Sequence, residues 1–127
     1  MTASEVQPSR VDQAITLLEM SATAFQERGW LNGGGRGYKG ERCIGNMISD
    51  VSDEGRRAHL WDFNSPLITA YDALKAMLKE NYPCDCYIDG HVLYGLIPHY
   101  NDHHCTGGEQ AIHIINQTIK HLRDTQG

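Results

Sequence analysis

Long apolar runs are absent from this 127-residue chain. No stretch approaches the roughly 18 apolar residues that a transmembrane helix needs, so no membrane partner is expected. Positive charge is also scarce. Eleven Lys and Arg stand against 16 Asp and Glu, a formal charge of −5 with histidines neutral. Attraction of the whole molecule to nucleic-acid phosphates is therefore not expected either. The first residues, Met1 to Pro8, lack the basic and apolar segments of a secretory signal and read as a flexible N-terminus. The expected location is a cytoplasm, where the four cysteines stay reduced. No internal repeat is visible.

What is present fits one globular domain with a single modest core: 40% hydrophobic residues and a mean hydropathy of −0.47. Three segments carry helical periodicity. Over 11–28, Val11, Ala14, Ile15, Leu18, Ala22 and Phe25 recur at three- and four-residue steps behind Ser9, with Gly29 placed as a C-terminal cap. Over 66–80, Ser65-Pro66 is a start signal, and Leu67, Ile68, Tyr71, Leu74, Met77 and Leu78 form the apolar face. Over 107–123, Thr106 and Glu109 have capping-box spacing ahead of Ile112, Ile115, Ile119 and Leu122. A short helix over 43–52 places Cys43, Ile44, Met47, Ile48 and Val51 inward, and 53–64 is a polar connector holding Trp61 and Phe63. The expected fold class is all-α: a compact bundle of three main helices plus the short one, with a minor β-hairpin near 87–96 as the competing element.

Between the first two helices lies Asn32-Gly33-Gly34-Gly35-Arg36-Gly37-Tyr38-Lys39-Gly40. It fails the dinucleotide fingerprint, has no strand before it, and lacks the Gly-Lys-Ser/Thr ending of a phosphate loop. Its glycines serve backbone freedom first. Arg36, Lys39 and Arg42 nevertheless put three cations on or beside a loop, where an anion could meet them.

The densest chemistry runs from Ile97 to Glu109, with His99, His103, His104 and Cys105 around Asn101-Asp102. Zinc takes four N or S ligands in a tetrahedron. Cys84 and Cys86 from one loop, with His104 and Cys105 from another, are the expected set if a structural zinc is held; no cofactor is otherwise expected. Asn101 and Asp102 read first as caps on a helix start, and second as ligand groups facing the basic loop. No catalytic pair or triad can be named.

Gly29-Trp30, the Gly40-x-x-Cys43-x-Gly45 step, and Ile97-x-x-Tyr100-Asn101-Asp102 ahead of an amphipathic helix together resemble an uncharacterised family of small helical proteins. That family occurs in actinomycetes and their bacteriophages and shows Trp, Cys-x-Gly-Ala and Trp/Phe-Asn-Asp in this order. The resemblance spans roughly Val11 to Leu122. Asn46 replaces the family's alanine, Tyr100 stands for its Trp or Phe, and Cys84-x-Cys86 and His103-His104-Cys105 are additions. The resemblance implies a helical fold and a phage or actinomycete origin, hence a bacterial host cytoplasm, but no activity. The leading functional expectation is a non-enzymatic binding module that acts on a host protein or self-associates. The alternative is a pocket for an anionic metabolite or nucleotide framed by Arg36, Lys39, Arg42, Asn101 and Asp102, ahead of a zinc domain or a hydrolase.

Overall fold

The computed structural model describes residues 9–33, 37–63, 65–82 and 95–126. Among them the chain forms five helices and no strand: α1 (Arg10–Arg28), α2 (Ile44–Arg57), α3 (Ser65–Asn81), α4 (Leu96–His103) and α5 (Gly108–Gln126). The expected all-α class is what the structure has. The 87–96 segment, read as a possible hairpin, lies outside the described residues except for Gly95 and Leu96. Residues 1–8 lie outside them as well.

Helix α1 starts where Ser9 Oγ accepts from the Asp12 amide at 3.0 Å, satisfying one of the orphan donors of a first turn. It stops at Gly29, whose φ of 93° is open to glycine at little cost and whose amide still reaches Phe25 O. α1 is the centre of the bundle and packs on α5, α3 and α2. Its Leu17 and Leu18 meet Met47 and Ile48 of α2, Leu74 and Met77 of α3, and Ile114 and Ile115 of α5 in one core, all fully buried. Each such side chain contributes about 1.5–3 kcal/mol by leaving water.

Three boundaries and two faces differ from the sequence reading. α2 runs on to Arg57, absorbing the first part of the polar connector. Cys43 is its N-cap rather than an inward helical residue: Sγ accepts from the Asn46 amide at 3.4 Å. Residues Leu96 to His103 are a helix in their own right, α4. Pro98 sits in the first turn, where a missing N–H costs no helical bond. On α3 the core stripe is Ala70, Ala73, Leu74, Met77 and Leu78, so Ile68 joins Asp72 and Lys75 on the water side at 64% exposure. On α5 the stripe is Ala111, Ile114, Ile115, Thr118, Ile119 and Leu122, which leaves Ile112 half-buried.

Candidate functional sites: an asparagine hub and a charged cleft

Asn101 has no exposed surface, and α4 aims its amide between the two ends of the α1–α2 connection. Oδ1 accepts from the Trp30 indole at 2.7 Å and from the Ile44 amide at 2.9 Å. Nδ2 donates to Leu31 O at 3.2 Å and to Asp102 Oδ1 at 3.1 Å. An asparagine side chain offers two acceptor and two donor positions, and all four are in use. Asp102 Oδ1 also accepts from the Gly33 amide at 3.0 Å, and its carbonyl accepts from Asn32 Nδ2. The loop is closed further by a parallel bridge between Trp30 and Arg42, with Leu31 donating to Arg42 O.

Asn101 therefore does cap a helix start, but that of α2, 57 residues away, not that of the helix that follows it, while Asp102 holds the loop at Gly33. Neither residue lines the cleft that holds Lys39 and Arg42. Six of the residues that carry the resemblance, Trp30, Cys43, Gly45, Tyr100, Asn101 and Asp102, belong to or border this network. Gly45 O accepts from Tyr71 Oη at 2.7 Å, and burial pushes the Tyr71 hydroxyl up to about 12. Tyr100, also buried, accepts from Gln110 Nε2 and packs edge-on against Tyr82.

The proposed zinc set is only partly in view. Cys84 and Cys86 lie outside the described residues. Cys105 is buried, its Sγ donates to Gly107 O, and burial raises its thiol above the ordinary value. His104 is exposed and its ring lies 5.3 Å from that of buried His99, which also neighbours His103 at 4.8 Å. Among the described residues no three His, Cys, Asp or Glu side chains are grouped to hold a metal ion.

The second site is an open cleft of about 610 Å³ between the 37–42 loop and the outer face of α2. Its charged lining is Arg28, Lys39, Arg42 and Arg57 with Asp50, Asp53 and Glu54. Lys39 and Arg42 both line this cleft, while Arg36 lies outside the described residues and Asn101 and Asp102 are elsewhere. Arg28 grips Glu54 with two bonds of 2.9 Å, a geometry suited to guanidinium and carboxylate. That contact holds the Glu54 carboxyl below its ordinary value and raises the guanidinium. Arg42 Nε binds Asp50 at 2.8 Å. Arg56 and Arg57 divide the two oxygens of Asp53 at 2.6 Å each, and the Arg56 bond is the main cause of its lowered pKa. Reading α2 as ending at residue 52 hid this row. Asp50, Asp53, Glu54 and Arg57 share one helix face at three- and four-residue spacing, a signal visible only once the helix is allowed to run on.

Among the aromatic side chains, Trp61 and Tyr100 are buried and Trp30 and Tyr82 half-buried; Tyr87 and Tyr94 lie outside the described residues. Among the described residues the large apolar groups exposed to water are Tyr38, Leu60, Phe63 and Ile68. The chain matches no family model, no curated protein and no solved structure. Among the described residues no helix is long and apolar enough to cross a membrane.

Proposed function

We propose that this is a non-enzymatic binding module that docks on a protein through the corner made by residues 58–63, the partner being a host-cell protein or a second copy of itself. Phe63 carries the reading: it is 80% exposed and held at φ 53°. A bulky residue in the left-handed region is an outlier that costs roughly 1–2 kcal/mol, and such strain gathers at ligand clamps and other functional positions. His59, at φ 63°, is the second residue of this kind in the same turn.

The turn is rigid as well as strained. Ala58, His59 and Leu60 amides donate to Glu54, Arg56 and Gly55 carbonyls, and Trp61 is buried with its indole on Ser52 O at 2.9 Å. Leu60, at 48% exposure, stands directly before this anchor, and Phe63 two residues after it. Apolar groups preset in one conformation lose little entropy on docking, and aromatic anchors dominate interface energies. The resemblance to actinomycete and phage proteins is the ground for naming a host protein.

The test compares the wild-type chain with a Leu60→Ser/Phe63→Ser variant. Sedimentation at about 100 μM reports self-association, and capture from a bacterial lysate reports a partner. The expected result is a dimer or one captured protein in the wild type, lost in the variant without a fall in melting temperature. Unchanged mass and unchanged capture would overturn the reading.

A further inference from the structure

We propose that the cleft between the 37–42 loop and α2 binds a phosphorylated sugar metabolite, of which a nucleotide is one form, with Lys39 and Arg57 holding the phosphate. The inference is separate from the docking corner. It rests on which charges in the cleft are already spent and which are not.

The cleft holds four cationic side chains and three carboxylates, a local excess of positive charge in a chain of net charge −5. Each carboxylate has an arginine on it: Glu54 has Arg28, Asp50 has Arg42, and Asp53 has Arg56 and Arg57. None is a bare anion that would repel a phosphate, and none is open to a purely cationic ligand. The uncommitted cations are two. Lys39 is exposed, and no hydrogen bond or ion pair of its ammonium occurs among the described residues. Arg57 gives Asp53 a single bond from Nη2 and is 65% exposed, so the rest of its guanidinium fork faces water. A phosphate takes such donors readily.

A free phosphate would use only half of the lining. The arginine-bound carboxylates retain lone pairs that accept from hydroxyl groups, and a ligand that uses both halves brings anionic oxygens and hydroxyl donors together. Sugar phosphates do. The volume of about 610 Å³ lies within the ordinary range for small-ligand pockets, roughly 300–1,000 Å³.

Isothermal titration calorimetry of the full chain at low salt tests this, with ribose 5-phosphate, ATP and inorganic phosphate as three separate probes. The expected result is binding of ribose 5-phosphate and ATP with Kd below about 1 mM, weakened about tenfold or more in Lys39→Ala/Arg57→Ala. Circular dichroism should show the variant folded, since both side chains are exposed; if it is not, Lys39→Gln is read in its place, with a loss of about threefold or more. Absence of heat from both sugar phosphates overturns the proposal, as does undiminished binding by the folded variant. Inorganic phosphate binding as tightly as ribose 5-phosphate also overturns it, because the sugar would then contribute nothing.

Discussion

The two connections that flank α2 are each pinned by a tryptophan, and they differ in reach. In the α2–α3 turn, Trp61 donates to the carbonyl of Ser52, nine residues back along the same helix and turn. In the α1–α2 loop, Trp30 donates to the side chain of Asn101, 71 residues ahead. The first arrangement needs only α2 and its own continuation. The second forms only when α4 docks, because Asn101 supplies the acceptors for both Trp30 and the first amide of α2. The local connection carries strained, exposed side chains; the distant one is held by a buried amide whose four hydrogen-bonding positions are all filled. A rigid local turn can bear strain at its surface because its anchor does not depend on the rest of the bundle, whereas a long-range hub is held together only if every member has a partner.

The largest expected effect breaks the long-range side. Asn101→Ala leaves the buried Ile44 amide and the part-buried Trp30 indole and Leu31 carbonyl without this partner; a fully buried orphan costs about 1–3 kcal/mol and a part-buried one less. Urea unfolding should show a loss of about 4 kcal/mol, a large share of the stability of a domain this size. A loss under about 1 kcal/mol would reduce the hub to an ordinary surface contact.

A smaller effect is expected on the local side. A Cβ on Gly55 would stand 2.1 Å from Trp61 Cζ2, so Gly55→Ala forces the indole off its seat. Overpacking costs about 1–3 kcal/mol and outweighs the roughly 1 kcal/mol that alanine gains over glycine inside a helix. The expected net loss is about 1 kcal/mol, with tryptophan emission shifted to the red as Trp61 meets water. Net stabilisation with unchanged emission would mean that the indole slides aside freely.

The smallest effect has the opposite sign. Ser52 Oγ, in the same helical segment, is buried with no hydrogen-bond partner. Ser52→Ala removes an unsatisfied hydroxyl without touching the carbonyl that Trp61 uses, and should stabilise by up to about 1 kcal/mol. Thermal unfolding measures it; a lower melting temperature would show that the hydroxyl contributes to the turn.

These two regions were not equally legible. Ser9 and Gly29 announced the ends of α1, and the periodic side chains of α3 and α5 placed most of the core, because capping and amphipathic spacing are properties of neighbouring residues. Asn101 and Asp102 were visible as helix-capping chemistry, but no local pattern could say that the helix Asn101 serves begins at Ile44. Lys39 and Arg42 were singled out as cations on or beside a loop. Their carboxylate neighbours on α2 were missed because its polar second half lacks the apolar repeat by which helices are recognised, even though it remains helical.

By itself, then, the order of residues determined the class of the fold, the caps and faces of the long helices, and the absence of any membrane-spanning run among the described helices. Tertiary structure alone decided that α4 exists as a docked helix, that Asn101 joins Trp30 to Ile44, and that Arg28 meets Glu54 across the cleft. The physical reason is range. Backbone propensity and side-chain periodicity act within a few residues, whereas buried hydrogen bonds and ion pairs gain their value only after distant segments have excluded water from between them.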